Sequence, residues 1–440
     1  MKRVLLLGAG LVTRPLVQYL LEQPDIEMTI ATRTVSKAEK LLEGLSRGKA
    51  LQLLVDDETA LSRLVAEHDL SISLLPYTYH PLVAKLCIQH HKQMVTTSYV
   101  SEKMKALDGP AKEAGILILN ETGLDPGIDH MSAMRVIHDV QNKGGQVVSF
   151  SSYCGGLPAP EDNTNPWGYK FSWSPRGVVM AGRNPGRFLR NGEVVEIPGP
   201  ELFAHYETAT VPGLGEFEGY TNRDCLGYIE LYGLQGARNM FRGTLRYPGW
   251  CDTWKALSDI GYLDDTPRDD LGGMRFADLM RQLAGAGVDA DPKRAAAGKL
   301  GLDEASEPMQ RWEWLGLFSD EPLPEAQSVM DVLVARLDAQ LTYAPGERDM
   351  IALHHAFEAE FPEHREKITS TLVDFGIPNG DSAMARTVSL PAAIATKLVL
   401  DGEIRLTGVH IPVLPELYNP ILNELDRLGI TCKECAERVK

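Results

Sequence analysis

Residues 4–34 read VLLLGAGLVTRPLVQYLLEQPDIEMTIATRT, and this stretch decides the fold of the first part of the chain. An apolar run from Val4 to Leu7 leads directly into Gly8-Ala9-Gly10, and a helical pattern follows. A second apolar run then ends at Thr32-Arg33-Thr34. This order of strand, glycine turn, helix and strand is typical of dinucleotide binding, because glycines let the backbone approach a pyrophosphate and a helix N-terminus offers it free N–H groups.

The residue at the tip of the second strand selects between two dinucleotides. An acidic side chain there would bind the ribose 2′-hydroxyl of NAD, whereas Arg33 can pair with a 2′-phosphate. The sequence therefore predicts NADP(H). The glycine pattern departs from G-x-G-x-x-G at Thr13, which we interpret as the cap of a late-starting helix with Pro15 in its first turn. A strand–turn–helix unit that binds nothing is the alternative.

Strand and helix patterns alternate over the first 120 residues. The candidate strands are 3–7, 28–32, 50–55, 70–75, 93–97 and 116–120, with helical stretches near 15–23, 34–45, 57–66, 80–91 and 101–114. Short, continuous apolar strands alternating with helices predict an α/β fold, a doubly wound parallel Rossmann sheet. Its ligands would bind outside the carboxyl ends of the strands.

The pattern changes at Gly123 to His130, a segment dense in Gly, Pro and Asp that indicates a turn or hinge. We therefore predict an NADP-binding domain over 1–123. A second, α+β domain for substrate binding and dimerisation, with a mixed sheet, would comprise 124–250 and 340–389. Residues 251–339 would form a helical insertion, and 390–440 would pack back on the first domain.

Composition limits the possible partners. The chain has 440 residues and a formal net charge of −16, which disfavours nucleic acid and anionic membranes as partners. No apolar run approaches a membrane span, and the first one is too short for a signal peptide, so we expect a cytoplasmic protein with no membrane partner. The histidines show no ligand spacing, and Cys432 and Cys435 are interpreted as ordinary reduced cysteines, so we predict no metal site.

A few polar residues could carry chemistry. Asp125 follows the sixth strand and could bind an ammonium group, act as an acid/base or simply form a turn, whereas Asp129 and His130 favour a structural role. The hydroxyl-rich segment 97–99 suits a ribose or a carboxylate, or is a polar loop. Arginine side chains can bind carboxylates through two parallel hydrogen bonds. For each arginine, the alternative is a solvated charge on the surface. The candidate basic residues are Lys170, Arg176, Arg223, Arg242 and Arg246.

These residues and several longer strings make the chain resemble the saccharopine reductases, the NADP-dependent, glutamate-forming saccharopine dehydrogenases of the aminoadipate route to lysine. The resemblance covers most of the chain and is weakest over about 251–330. It rests on residues 11–15, 73–78, 95–100, 123–130, 151–160, 168–174, 198–202, 222–224, 242–247 and 346–349.

The resemblance implies a set of site residues and a homodimer formed through the sheet of the second domain. Ala9 to Val12 would hold the pyrophosphate, and Thr32 to Thr34 the 2′-phosphate. Leu54 departs from the family, which tends to carry Asp beside the adenine. The implied cofactor-binding residues are Gly8, Ala9, Gly10, Leu11, Val12, Thr32, Arg33, Thr34, Val55, Leu75, Thr97, Ser98, Leu124, Asp125, Pro126 and Ser174. The implied substrate-binding residues are Ser98, Tyr99, Asp125, Arg223, Thr244, Leu245 and Arg246.

The implied reaction condenses aminoadipate semialdehyde with glutamate to an imine, which NADPH reduces to saccharopine. Tyr99, Asp125 and Cys154 are the catalytic candidates. One alternative is a related imine reductase, such as carboxynorspermidine or homospermidine synthase, whose polycationic substrates would require acids in place of Arg223 and Arg246. Another is a non-catalytic NADP-binding regulator.

Overall fold

The computed structural model describes residues 1–439, which divide into two compact units. The first unit comprises Met1–Gln146 and Leu372–Cys435, and the second comprises Val147–Thr371 and the residues from Ala436 onward.

The elements up to the first division are β1 (Lys2–Leu7), α1 (Arg14–Glu22), β2 (Ile26–Thr32), α2 (Val35–Leu41), β3 (Gly48–Gln52), α3 (Glu58–Glu67), β4 (Leu70–Ser73), α4 (His80–Gln89), β5 (Gln93–Thr96), α5 (Glu102–Lys105), α6 (Asp108–Glu113), β6 (Leu117–Leu119) and α7 (Ile128–Asn142). The strands that follow are β7 (Gln146–Pro158), β8 (Gly186–Arg190), β9 (Glu193–Ile197), β10 (Tyr206–Val211), β11 (Gly215–Thr221), β12 (Asn239–Arg246), β13 (Asp349–Glu360), β14 (Arg365–Phe375), β15 (Gly408–His410) and β16 (Lys433–Val439). The helices that follow are α8 (Pro175–Ala181), α9 (Gly227–Leu231), α10 (Trp250–Ile260), α11 (Phe276–Ala284), α12 (Pro292–Leu300), α13 (Glu307–Leu315), α14 (Val329–Gln340), α15 (Ala383–Leu400) and α16 (Pro415–Arg427).

The first unit is built on a seven-stranded parallel sheet in the order β15-β6-β5-β4-β1-β2-β3. The interior strand β1 carries Val4 to Leu7, all of them fully buried, because helices cover both faces of such a sheet. The predicted doubly wound Rossmann fold is confirmed.

The first unit also includes a long apolar helix from late in the chain. Among the described residues, α15 alone is long and apolar enough to cross a membrane, and 72% of it is buried inside the protein. It packs against α1, α16 and β5, as a core helix does.

The division of the chain falls after Gln146, whereas the sequence predicted it after residue 123. The physical reason is α7, which packs against α16 within the first unit. The returning segment likewise begins earlier than the predicted residue 390, because α15 begins at Ala383 and packs on α1. The assignment of binding and dimerisation roles to these segments stays a prediction.

The second unit contains a mixed, nine-stranded sheet whose main path runs β10-β11-β12-β7-β13-β14-β16, with the β8–β9 hairpin attached through β12. Strand β12 pairs antiparallel with β11 and parallel with β7. Strand β7 is long and runs to Pro158. This is possible because Gly155 lets β12 approach: a Cβ at Gly155 would lie 2.8 Å from Leu245. Helices α10 to α14 occupy the segment predicted as a helical insertion.

Candidate active site

The glycine turn after β1 brings the backbone close to its neighbours and leaves one side open. Gly8 has φ +107°, and a Cβ there would lie 3.0 Å from the carbonyl oxygen of Leu74 on the next strand, so no side chain fits. At Gly10 an added Cβ would meet nothing within 4 Å. The chain thus makes a compact turn beside β4 with free space above Gly10, where a phosphate could approach the backbone.

The helix that follows has an open N-terminus. Thr13 is the N-cap of α1 and Pro15 lies in its first turn, as predicted, but the Thr13 hydroxyl makes no capping hydrogen bond. That hydroxyl is buried and has no partner among the described residues. The first turn also contains no acidic residue. The free N–H groups and the partial positive charge at such a helix N-terminus can bind an anion. The pyrophosphate of a dinucleotide is an anion of this kind.

Arg33 lies where the sequence placed it, directly after β2. Its side chain is exposed and forms no ion pair within the described residues. Its carbonyl oxygen accepts a hydrogen bond from Gln52 Nε2 at 3.3 Å, which ties the tip of β2 to β3. The neighbouring hydroxyl of Thr34 makes no capping bond to α2. A guanidinium with no internal partner beside a free hydroxyl fits the 2′-phosphate of NADP.

Exposed apolar side chains follow three strands of the same sheet edge. Leu11 is 73% exposed, Leu54 57% and Tyr77 70%, and they follow β1, β3 and β4, respectively. Val55 and Leu75 are half-buried beside them. Large apolar groups are unusual on a free surface, so this edge fits flat, partly apolar rings such as those of a dinucleotide. Tyr77 follows a strand at the edge where the sequence predicts ligand binding, although it is not among the site residues that the resemblance implies.

The two catalytic candidates of the first unit form a pair. Tyr99 follows β5 and Asp125 follows β6, and the Tyr99 hydroxyl donates to Asp125 Oδ1 at 2.7 Å. Both side chains are half-buried. Adjacent parallel strands end at the same edge, which is why residues 26 positions apart meet here. A phenol that donates to a carboxylate is an arrangement suited to moving a proton.

A buried hydrogen-bond network lies next to this pair. The sequence did not predict these hydrogen bonds. Glu121 has a left-handed backbone (φ +57°); its Oε1 accepts from the Val100 N–H at 2.8 Å, and its Oε2 lies 2.7 Å from His130 Nε2. Asp129 Oδ1 accepts from the Gly127 N–H at 2.5 Å. Asp129 and His130 therefore have the structural roles that the sequence favoured. No spacing rule reveals Glu121, because its partners lie on the loop after β5 and on α7.

The other predicted residues of this edge lie around the pair. Thr97 and Ser98 are half-buried after β5, whereas Leu124 and Pro126 are buried after β6. The carbonyl of Pro126 accepts from the Gly123 N–H at 2.9 Å, so the loop is held closed by its own backbone.

In the second unit, sheet register brings three predicted residues together. Thr244 of β12 lies opposite Cys154 of β7, and Arg246 is two residues further along β12. Alternate residues of a strand share a face, so Thr244 and Arg246 lie on one face of the sheet. Leu245 is buried against Gly155.

Arg246 is a buried cation that forms no ion pair within the described residues. It is only 5% exposed and its guanidinium lies 5.0 Å from the ring centres of both Tyr169 and Trp250. Its Nη1 donates to the Leu245 carbonyl at 2.7 Å, while its Nε has no hydrogen bond within the described chain. Glu218, opposite in register, accepts instead from the backbone N–H groups of Gly249 and Cys251. A buried charge left in this state fits an anionic ligand.

Two predicted residues of the second unit have local structural contacts. The Ser174 side chain accepts from the Gly177 N–H at 3.2 Å and caps α8. Arg223 is exposed, with φ +62°, and its carbonyl accepts from the Arg187 N–H. Arg187 also pairs with Asp224 at 2.7 Å. Neither observation tests the predicted ligand contacts of Ser174 and Arg223.

The described residues contain no group of three or more His, Cys, Asp or Glu that could hold a metal ion. Cys432 and Cys435 are both free; Cys432 is buried and Cys435 exposed. Burial raises the pKa of the Cys432 thiol to about 12. A thiol in that state is a poor nucleophile.

The Rossmann sheet, the open glycine turn and the unpaired Arg33 define a dinucleotide-dependent oxidoreductase that favours NADP(H). Comparison with known proteins narrows this class. Residues 4–119 match the family model described as the saccharopine dehydrogenase NADP binding domain, and residues 123–430 match that of the saccharopine dehydrogenase C-terminal domain. The chain belongs to the saccharopine dehydrogenase family.

Individual relatives match nearly the whole length of this chain. A saccharopine dehydrogenase [NADP(+), L-glutamate-forming] of Schizosaccharomyces pombe is 42% identical over 99% of both chains. The apo, histidine-tagged saccharopine dehydrogenase (L-Glu forming) of Saccharomyces cerevisiae has a solved structure that superposes with a TM-score of 0.91, at 40% identity, over 99% of this chain and 100% of that one. A mitochondrial alpha-aminoadipic semialdehyde synthase of Bos taurus is 42% identical over 98% of this chain and 47% of its own length.

These findings confirm four sequence predictions: the family, the fold class, NADP(H) as the cofactor and an oxidoreductase activity. Small molecules as substrates are confirmed as a class. The individual site residues stay predictions, because no comparison assigns them.

Proposed function

We propose that the chain catalyses the reversible, NADPH-dependent condensation of L-2-aminoadipate 6-semialdehyde with L-glutamate to L-saccharopine, in lysine biosynthesis or degradation. The family supplies the reaction, and the observation that supports a carboxylate-rich substrate is Arg246. A buried guanidinium without an acidic partner is stabilised when a carboxylate binds it. A polycationic amine would be repelled there, which argues against carboxynorspermidine or homospermidine synthase.

The chemistry divides among the residues of the site. The glutamate amine adds to the aldehyde carbon and water leaves, so an imine forms with the loss of the aldehyde oxygen. Bound NADPH supplies the hydride that reduces the imine carbon. Asp125 accepts a proton from the attacking amine and returns it to the former aldehyde oxygen, which takes its second proton from solvent and leaves as water, so that a protonated imine remains for the hydride. Tyr99, hydrogen-bonded to Asp125 at 2.7 Å, orients that carboxylate.

The remaining predicted residues bind and orient. The backbone of Ala9 to Val12 and the N-terminus of α1 hold the pyrophosphate, and Arg33 with its flanking threonines holds the 2′-phosphate. Arg223 and Thr244 to Arg246 bind the substrate carboxylates. The bound substrate is then already oriented for the reaction, so no further entropy is lost in the chemical step. Cys154, opposite Thr244 in register, lines the same part of the sheet.

One assay separates the proposed function from its rivals. Purified protein is mixed with aminoadipate semialdehyde, glutamate and NADPH, and the absorbance of the reduced nicotinamide is followed. Loss of absorbance that requires glutamate supports the proposal, and saccharopine with NADP⁺ should regenerate the absorbance. Turnover with a diamine instead of glutamate would indicate a polyamine-forming reductase. NADPH binding without any turnover would indicate a regulator.

The assembly and the location are further proposals. We propose a homodimer, supported by the family resemblance and tested by light scattering on the eluted protein. A cytoplasmic location is the expectation from sequence and is tested by fractionating cells that express the tagged chain.

A further inference from the structure

A buried histidine lies directly behind Ser98. His80 is the first residue of α4 and is only 2% exposed. Its Nδ1 lies 2.9 Å from Ser73 Oγ, and its Nε2 lies 2.8 Å from Ser98 Oγ and 3.3 Å from Thr96 Oγ1. Ser73 ends β4 and Thr96 ends β5, so hydroxyls from two neighbouring strands meet at one imidazole.

The imidazole is neutral in this position. Burial lowers the pKa of His80 to about 4, and the hydrogen-bond partners of its ring within the described residues are hydroxyl groups. A neutral imidazole has one N–H donor and one nitrogen acceptor. Which nitrogen carries the hydrogen decides how Ser98 is oriented.

The hydrogen bonds of Thr96 settle that choice. The Thr96 hydroxyl donates its single hydrogen to the Ser73 carbonyl at 2.8 Å, and its oxygen also lies 3.4 Å from the Ser98 N–H. Towards His80, the Thr96 oxygen can therefore only accept. Because Nε2 faces this oxygen as well as Ser98 Oγ, the hydrogen belongs on Nε2. Nδ1 then accepts from the Ser73 hydroxyl.

The hydrogen bonds therefore all point the same way: Ser73 donates to His80, and His80 donates to Ser98. We propose that His80 is a positioning residue whose Nε2–H holds the Ser98 hydroxyl as a hydrogen-bond donor towards an oxygen of the bound ligand. With its oxygen already accepting from His80, the half-buried Ser98 hydroxyl keeps its own hydrogen for that contact. The inference rests on the proposed function and on the family resemblance, which implies that Ser98 contacts cofactor and substrate.

The protonation state can be observed without turnover. Long-range proton–nitrogen NMR of the histidine-labelled, unliganded protein identifies the His80 ring as the signal lost in His80→Gln. We expect a neutral ring protonated on Nε2 around neutral pH. A ring protonated on Nδ1, or an imidazolium, would overturn the proposal.

Kinetics test whether His80 acts through Ser98. His80→Leu should lower kcat/KM about 10-fold, the effect of one lost hydrogen bond to the ligand. His80→Gln should recover most of this loss, since its amide N–H can donate where Nε2 did. Ser98→Ala should lose a similar factor, and adding His80→Leu to it should cost nothing more. A further loss of similar size in the double variant would refute a role through Ser98.

The chain offers a matched control in the same unit. His68 is also buried, with Nδ1 2.6 Å from the Leu64 carbonyl and Nε2 2.8 Å from Thr29 Oγ1, but it precedes β4 at the opposite edge of the sheet. His68→Leu should lower the melting temperature without changing kcat/KM. An equal kinetic loss in His68→Leu would show that His80 is only structural. Should His80→Leu fail to fold, the glutamine variant and the NMR signal still decide.

Two binding measurements identify the oxygen that Ser98 contacts. A higher Kd for NADPH, measured by fluorescence titration, points to the cofactor, and a higher KM for saccharopine at saturating NADP⁺ points to the substrate. No change in either measurement would overturn the inference. If the unmodified chain does not turn over saccharopine at all, the proposed function fails separately, because the NMR result and the Kd for NADPH can still be read.

Discussion

Arg246 carries a buried positive charge that forms no ion pair within the described residues. Arg246→Met keeps an unbranched side chain beside Tyr169 and Trp250 but removes the charge and its contacts with the two rings. We expect KM for saccharopine to rise about 10-fold or more, the value of a charge-assisted hydrogen bond, while the Kd for NADPH stays unchanged. The free energy of unfolding should change by less than about 1 kcal/mol, because relief from burying the charge is offset by the loss of its contacts with the two rings.

Arg311 is the matched control for that variant. It is equally buried, but it pairs with Glu307 and donates to the Pro248 carbonyl at 2.9 Å. Arg311→Met should lower the free energy of unfolding by about 2 kcal/mol and leave KM unchanged. Thermal unfolding and steady-state kinetics compare the two variants, and equal destabilisation in both would contradict a ligand-binding role for Arg246.

Asp125 and Tyr99 are expected to differ in the size of their effects. Asp125→Asn should lower kcat about 100-fold or more, because the amide cannot accept the proton, whereas NADPH affinity should change little. Tyr99→Phe removes only the hydrogen bond that orients the carboxylate and should cost about 10-fold in kcat. Stopped-flow measurement of a single turnover checks both values. Unchanged turnover in Asp125→Asn would remove that residue from the mechanism.

Arg33 should set cofactor preference without affecting stability. The exposed guanidinium has no ion pair in the described chain, so Arg33→Ala should leave the melting temperature unchanged. It should lower kcat/KM for NADPH about 10-fold or more and leave the value for NADH unchanged. Arg63→Ala, which removes another exposed arginine, on α3, is the control. Loss of NADH activity in Arg33→Ala would point to a structural defect instead.

At the scale of the element, two glycines of the strand–turn–helix unit have different roles: Gly8 allows the tight turn, and Gly10 leaves space for the cofactor. Gly8→Ala introduces a side chain at φ +107°, 3.0 Å from a backbone oxygen, and should destabilise the free protein by about 1–3 kcal/mol. Gly10→Ala meets nothing and should leave the free protein as stable as before. Its Kd for NADPH should nevertheless rise, since the methyl group occupies the approach to the backbone. Denaturant unfolding and fluorescence titration check both variants, and unchanged NADPH affinity in Gly10→Ala would place the pyrophosphate elsewhere.

Elements with strong local signals were predictable from sequence. Strands such as β1 and β6 are short apolar runs that a parallel sheet buries on both faces, and Arg33 directly follows its strand. The contacts of His80, Glu121 and Arg246 were not predictable. Each depends on a partner from another strand or loop, such as Tyr169 beneath Arg246, and spacing along one element carries no information about such partners.

At the scale of the whole molecule, the first unit is discontinuous in sequence, and this has a consequence for fragments. Residues 1–146 contain the glycine turn and Arg33 but lack α15, which packs against α1 and β5. A fragment of these residues alone would expose the apolar surface that α15 covers, so we expect it to aggregate and not to bind NADPH. A single chain joining residues 1–146 to 372–435 through a flexible linker should fold and bind NADPH, because it restores the buried helix. Circular dichroism and fluorescence titration distinguish the two proteins. NADPH binding by the shorter fragment would show that the segment before residue 147 is sufficient, and that the returning helices serve only stability.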